Sequence, residues 1–285
     1  MGTRFLTSWL PDRADVRSGW REYAAAALSG LAMSAAFPPL DAGWVAWVAL
    51  APLFWALRGR SGKAAFYRGW TFGFFFFYSI CFFLNSLFIY MKVVILGVVL
   101  LALVSGLYGG VFALGAAALR RRFPRGSLLA VPAWWVALES IRSSGELAFP
   151  FGTLAHTQWE ATALIQVVAV AGTSAVSFLI VWVNVALCHG LFGAAETRTA
   201  PPRAAFRRVR CAAPAVALAV VVGIWLGGAW TLQTRDADAA GDRNPPGIDV
   251  LMIQHNIPQT EKWDSYHMFD TDRRRAYRIW DKQTR

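Results

Sequence analysis

Long apolar stretches separated by short polar segments fill the first 232 residues of the chain. A helix needs about 20 consecutive apolar residues to cross the hydrocarbon core of a bilayer. The third, fourth, sixth and seventh stretches come close to or exceed this length, whereas the first, second and fifth are short or flanked by proline. The pattern predicts about seven transmembrane helices, at Glu22–Phe37, Trp44–Leu57, Trp70–Tyr90, Val93–Leu119, Leu128–Ile141, Ala163–Phe192 and Ala212–Leu232.

The basic residues of the polar segments alternate between the two ends of the predicted spans. Basic residues mark cytoplasmic loops, and the opposite loops contain only Lys92 and Arg142. This alternation predicts a cytoplasmic N-terminus and places the residues after span seven outside the cytoplasm. The clustered residues are Arg4, Arg13, Arg17 and Arg21, then Arg58, Arg60, Lys63 and Arg68, then Arg120, Arg121, Arg122 and Arg125, and last Arg198, Arg203, Arg207, Arg208 and Arg210.

Composition agrees with a polytopic α-helical membrane protein. Hydrophobic residues make up 56% of the 285 residues and charged residues only 16%, against about 25% charged residues in soluble domains. The basic residues that give the net charge of +11 lie mainly in alternate loops. The charge therefore indicates topology and contact with anionic membrane lipid. Nucleic acid is not the expected partner. The three cysteines lie in or beside apolar spans without metal-ligand spacing, which predicts small buried side chains, no metal site and no cofactor: Cys81, Cys188 and Cys211.

The polar segment "RDADAAGDRNPP" separates two parts of the chain. It predicts a transmembrane helical domain at residues 1–234, a linker at 235–247 and the start of a second domain at 248–285. That start consists of an apolar strand, "IDVLMIQ", and a helix beginning near Trp263. One strand and one helix are too few to bury a core, so we expect the second domain to be incomplete and the chain to be truncated.

Four polar side chains in or beside the apolar spans are candidate site residues, because polar groups at membrane depth are costly. Glu139 and Arg142 are three residues apart on one helix face, which suits either a structural ion pair or a contact with a lipid headgroup. Asn85 suits a hydrogen bond between helices or a place in a substrate cleft. His156, in "FPFGTLAHTQWE", is either an ordinary loop residue or a catalytic base, and no Ser or Cys nucleophile is evidently paired with it.

The segment "VLMIQHNIPQTEKWD" resembles the start of the nitrilase-like domain of the apolipoprotein N-acyltransferases, which are bacterial enzymes of lipoprotein maturation. Further segments resemble that family in the same order along nearly the whole chain: "AAFPPLDAGWVAWVALAPLFWALRG", "RGWTFGFFFF", "VPAWWVALESIR", "FPFGTLAHTQ" and "LIQVVAVAGTSAVSFLIVWVNVAL". Each segment alone is a weak signal, and their order makes the resemblance fairly specific.

The resemblance implies an inner-membrane enzyme whose α-β-β-α nitrilase-like domain lies outside the cytoplasm after the seventh span. The family uses a Glu-Lys-Cys triad, in which Cys forms a thioester with an acyl group from a phospholipid and passes it to the diacylglyceryl-cysteine of an apolipoprotein. The triad positions fall beyond Arg285, and Glu261 does not match the family glutamate. We therefore expect these residues alone to be inactive.

One residue of the chain takes a role from this resemblance. Trp263 matches the family's active-site entrance tryptophan, although packing of the first helix is the alternative role for that side chain. Ser86 departs from the family, which has Trp after the Asn, and this weakens the assignment of Asn85 to a cleft.

Two other classes of protein fit parts of the sequence. A transporter or channel with a regulatory tail is the first alternative, and a non-catalytic membrane protein that binds lipid or lipoproteins is the second. The near absence of paired charges inside the spans and the "IPQTEKWD" tail both disfavour transport.

Overall fold

The computed structural model describes residues 19–60, 62–89, 92–124, 126–146, 148–192 and 204–241. These residues form helices joined by turns and loops, and they contain no β-strand. The chain divides into one compact unit that ends at Arg235 and a second that begins at Asp236. The predicted strand at 248–254 and the helix near Trp263 lie outside the described residues. The α-helices are α1 (Trp20–Ser34), α2 (Ala51–Ala56), α3 (Lys63–Ile80), α4 (Val94–Arg122), α5 (Ser127–Arg142), α6 (Thr162–Ile165), α7 (Val168–Phe192) and α8 (Ala204–Gly241), and 3-10 helices cover Gly43–Trp47, Phe82–Ile89 and Leu154–Gln158.

Three helices in the described residues are long and apolar enough to cross a membrane, namely Val94–Arg122, Val168–Leu191 and Ala212–Arg235. They coincide with predicted spans four, six and seven and indicate a membrane protein. The helices α1, with 15 residues, and α5, with 16, form where spans one and five were predicted. They rise only about 22–24 Å, which is less than the roughly 30 Å of a bilayer's hydrocarbon core.

The second predicted span is not one helix. Its residues form the 3-10 helix Gly43–Trp47 and the short helix α2. Between these two helices the backbone N–H and C=O groups lack regular helical partners, and a buried side chain pairs with them. Asn184 of α7 is fully buried. Its Oδ1 accepts a hydrogen bond from the Leu50 N–H at 2.9 Å, and its Nδ2 donates to the Ala46 carbonyl at 2.9 Å. Irregular backbone persists in an apolar interior only when its polar groups are paired, and Asn184 supplies that pairing.

The third predicted span is bent. Helix α3 begins at Lys63 and ends at Ile80, and the 3-10 segment that follows turns away from it by 53°. In this segment Asn85 Nδ2 donates to the Phe82 carbonyl at 3.1 Å, and Ser86 Oγ donates to the Phe83 carbonyl at 2.7 Å. Asn and Ser side chains compete with the helical hydrogen bonds of the backbone in this way, so the apolar composition of the stretch did not make it one continuous helix.

The sixth predicted span is also interrupted. Helix α6 ends at Ile165, and α7 contains a non-helical residue, Gly172, with φ 70° and ψ 173°. Glycine adopts a positive φ without the steric cost that a Cβ would add, which allows the chain to change direction there. The long apolar part of the span follows the break, in α7.

Helices α3 and α4 pack through glycine at a very short distance. A Cβ added to Gly109 would lie 2.5 Å from the Gly69 carbonyl oxygen, and one added to Gly73 would lie 2.6 Å from the Gly106 carbonyl oxygen. Small residues allow the backbones of membrane helices to approach this closely, where dispersion forces replace the hydrophobic effect as the source of association. This pair has the most extensive contact between two helices in the described residues; α1 packs on α3, α5 packs on α4, and α7 packs on α5.

Helix α1 is fastened to α3 by a charged cluster that the loop pattern did not predict. Arg68, assigned to a cytoplasmic loop from the sequence, lies in the first turns of α3 and is fully buried. Its Nη2 and Nε donate to Glu22 Oε2 at 2.5 and 3.0 Å, and Arg60 Nη2 donates to Glu22 Oε1 at 2.7 Å. Pairing and hydrogen bonding make a buried guanidinium tolerable.

Candidate functional site

Helix α5 presents three polar side chains on one face, next to the loop that leads to the 3-10 helix Leu154–Gln158. Trp135, Glu139 and Arg142 are spaced by four and three residues, a spacing that brings side chains onto one side of a helix. All three are buried, with 8%, 8% and 5% of their surface exposed. This face is the candidate functional site.

Arg142 fixes the loop through backbone carbonyls. Its Nη1 donates to the Phe149 carbonyl at 3.2 Å and to the Phe151 carbonyl, and its guanidinium carbon lies 5.2 Å from the centre of the Phe77 ring. Within the described residues its Nε and Nη2 have no hydrogen-bond partner. Arg142 therefore holds the loop with one nitrogen and keeps further N–H donors uncommitted.

Glu139 fixes the other end of the same loop. Its Oε1 accepts a hydrogen bond from the Leu154 N–H at 2.9 Å. Of the two alternatives for Glu139 and Arg142, the direct ion pair does not form in the part of the chain that the structure describes, and the headgroup contact stays a prediction. The physical reason is that the loop offers both groups closer partners, because its backbone N–H and C=O groups need pairing when they are buried.

A pocket opens between this face of α5 and the helices α3 and α4. Its empty space, with the mouth included, is about 360 Å³. The walls are mainly aromatic, and Glu139 and Arg142 provide the charged groups of the lining. The lining residues are Phe72, Phe76, Phe77, Tyr108, Gly109, Phe112, Trp135, Leu138, Glu139, Arg142 and Gly152.

Trp135 is a residue of this lining that the sequence analysis did not name as a candidate. Its indole N–H is buried and has no acceptor among the described residues. A buried donor left without a partner costs about 1–3 kcal/mol. No sequence signal marks such a group, because an aromatic residue in an apolar helix ordinarily indicates packing.

The 3-10 helix beyond the loop is anchored by two further polar side chains that the sequence analysis missed. Gln158 Oε1 accepts a hydrogen bond from Trp47 Nε1 at 3.0 Å, and its Nε2 donates to the Gly43 carbonyl at 2.8 Å. The Ser177 hydroxyl of α7 accepts a hydrogen bond from the Ala155 N–H at 3.1 Å. These bonds make the loop a fixed part of the helical unit.

The other sequence-predicted candidates lie apart from the pocket. His156 is exposed on the 3-10 helix and is absent from the pocket lining. Asn85 forms a local hydrogen bond to the Phe82 carbonyl in place of one between helices, and its Oδ1 is buried with no partner in the described residues. Cys81 and Cys188 are buried, as predicted, and neither forms a disulfide among the described residues. Trp263 lies outside the described residues.

The fold and the pocket define a class: a helical membrane protein in which buried charges secure a loop over an aromatic pocket. Residues 29–186 match the model of the apolipoprotein N-acyltransferase N-terminal domain. The chain belongs to the apolipoprotein N-acyltransferase family, as the sequence predicted.

Three relatives named apolipoprotein N-acyltransferase show how far the similarity extends. The protein from Geobacter metallireducens is 30% identical over 251 residues, covering 86% of this chain and 45% of the relative. The protein from Pseudomonas aeruginosa is 31% identical over 260 residues, covering 87% of this chain and 46% of the relative. The protein from Brucella suis is 30% identical over 274 residues, covering 90% of this chain and 48% of the relative. The chain spans about half the length of these relatives.

Proposed function

We propose that the protein acts in apolipoprotein N-acylation, transferring an acyl chain from a phospholipid to the N-terminal diacylglyceryl-cysteine of an apolipoprotein. The observation that carries the proposal is the family match over residues 29–186. Similarity to relatives of that name over 86–90% of the chain supports it. The partners are then a phospholipid acyl donor, a diacylglyceryl apolipoprotein and the surrounding membrane lipid.

The proposed setting is the bacterial inner membrane, with seven spans and a cytoplasmic N-terminus. The alternating basic loops support this topology, because basic residues favour the cytoplasmic side. Short helices such as α1 and α5 are accepted as spans in this proposal, since bilayers thin locally around short hydrophobic segments. Residues 248–285 are proposed to begin a nitrilase-like domain outside the cytoplasm.

The proposed chemistry runs in two steps through a cysteine thiolate. The thiolate attacks the ester carbonyl of the phospholipid, the glyceryl oxygen leaves with a proton, and a thioester forms. The α-amine of the apolipoprotein then attacks the thioester and releases the thiol. A carboxylate serves as the base and a lysine stabilises the oxyanion. This scheme assigns none of the three triad roles to residues 1–285, and it gives Trp263 a substrate contact.

Complementation tests the proposal in cells depleted of their own N-acyltransferase. The protein encoded by the whole gene that contains these residues should restore growth and yield triacylated lipoprotein, measured by mass spectrometry of the N-terminal peptide. The polypeptide of residues 1–285 expressed alone should restore neither. Membrane-inserted whole-gene protein without triacylation would refute the proposed function, and rescue by residues 1–285 alone would refute the assignment of the nucleophile.

A further inference from the structure

We propose that the pocket between α3, α4 and α5 seats the ester end of one phospholipid acyl chain. Trp135 donates to the ester carbonyl and Arg142 donates to the phosphodiester. The inference rests on the proposed function, because it names where the acyl donor is held before transfer.

The walls of the pocket suit a hydrocarbon chain. Phe72, Phe76, Phe77 and Phe112 line it, and its empty space of about 360 Å³ includes the open mouth, through which a chain can extend out of the pocket. Part of that space depends on glycine. A Cβ on Gly152 would lie 2.9 Å from a ring carbon of Phe76, so the loop reaches the pocket without filling it.

The polar end of the pocket presents hydrogen-bond donors that have no acceptor among the described residues. The Trp135 N–H is buried without an acceptor, and Arg142 keeps Nε and Nη2 uncommitted while Nη1 holds the loop. Both residues lie on the same face of α5, two turns apart. A hydrocarbon alone would leave these donors unpaired, whereas an ester carbonyl and a phosphate oxygen would satisfy them.

The guanidinium selects a phospholipid over other glyceryl lipids. A planar guanidinium with two uncommitted nitrogens matches the geometry of a phosphate better than that of a neutral group. A diacylglyceryl thioether has ester carbonyls but no phosphodiester. The donor lipid is therefore the occupant that uses both Trp135 and Arg142.

Photo-crosslinking tests the site directly. The 285-residue chain is placed in vesicles that contain phosphatidylethanolamine with a diazirine near the ester end of one acyl chain. After illumination we expect adducts on Phe72, Phe76 or Phe112. Unlabelled phosphatidylethanolamine should compete with the labelling, and diacylglycerol with the same chains should compete much less. Adducts confined to exposed residues of α4 such as Val104, which is 62% exposed, would overturn the inference.

A pair of neighbouring tryptophans supplies the matched control. Trp135→Phe keeps the aromatic ring and removes the N–H, so pocket labelling should fall roughly fivefold, the equivalent of one net hydrogen bond. Trp134 donates to the Val111 carbonyl at 3.4 Å and is absent from the pocket lining, so Trp134→Phe should leave the labelling unchanged. Equal labelling of the two variants would overturn the role of Trp135.

The readout separates this inference from the proposed function, because cross-linking requires no acyl transfer. Pocket labelling without triacylation by the whole-gene protein would refute the function and leave the lipid site standing. Triacylation without pocket labelling would refute the lipid site alone.

Discussion

A single added methyl group should distinguish the packed part of α4 from its free part. Gly97 and Gly109 lie in the same helix. A Cβ on Gly97 meets nothing within 4 Å, whereas a Cβ on Gly109 would lie 2.5 Å from the Gly69 carbonyl oxygen and 3.0 Å from the Gly73 Cα. The atoms in the way are backbone, so no change of rotamer can relieve the overlap, and the two helices have to separate.

The expected magnitudes have opposite signs. Each Gly→Ala change gains about 1 kcal/mol of helix propensity. Overpacking a close contact costs typically about 1–3 kcal/mol, and a backbone contact places Gly109→Ala in the upper part of that range. We expect Gly97→Ala to be neutral or stabilising by up to about 1 kcal/mol, and Gly109→Ala to be destabilising by about 1–2 kcal/mol after the propensity gain.

Unfolding in mixed micelles measures the difference. The purified protein is titrated with sodium dodecyl sulfate while helicity and tryptophan fluorescence are recorded. The midpoint for Gly109→Ala should fall below that of the unaltered protein, and the midpoint for Gly97→Ala should not. If both variants unfold at the same midpoint, the close approach of α3 and α4 is refuted.

Three further predictions address the topology, the substrate contact of Trp263 and the buried hydrogen bonds of Asn184. Reporter fusions at Ala200 and Gly241 should give cytoplasmic and periplasmic signals respectively, and the reverse pattern would contradict the seven-span proposal. In the whole-gene protein, Trp263→Ala should abolish acyl transfer without lowering the melting temperature; loss of both would indicate a packing role, and near-normal transfer would exclude either role. Asn184→Leu leaves two buried backbone groups unpaired and should cost about 2–4 kcal/mol in the micelle titration, whereas Asn85→Leu, whose hydrogen bond is local, should cost much less.

The hydrophobic pattern predicted the helix of span four well. Span four was predicted at Val93–Leu119 and is observed at Val94–Arg122. Lipid favours a helix in such a run because each backbone group must be paired, yet spans three and six, which are also long, are interrupted by a 3-10 segment and by Gly172. The second predicted span is not one continuous α-helix, because Asn184, which lies 134 residues after Leu50, pairs its irregular backbone. Hydropathy along the chain carries no sign of such a distant partner.

Two of the five candidate residues named from the sequence lie in the pocket, and the role of all five stays a prediction. Glu139 and Arg142 stood out as charges beside an apolar stretch, and both line the pocket. Their three-residue spacing suited either an ion pair or a headgroup contact, and in the structure each binds backbone groups of the loop. Helical spacing reports which side chains share a face, and it cannot report the loop that competes for them. Trp135 became notable only once the fold showed its N–H without an acceptor.

The hydrogen bonds of Asn184 impose an order on the folding of the protein during synthesis. The backbone groups of Ala46 and Leu50 are made long before the amide that pairs with them, because 134 residues of chain separate Leu50 from Asn184. At ribosomal rates of about 5–20 residues per second, the delay is roughly 7–27 s. During that interval the unpaired backbone groups of the segment Gly43–Ala56 have to be hydrated or bound by the insertion machinery. Its final seat in the bundle forms only after α7 has been synthesised.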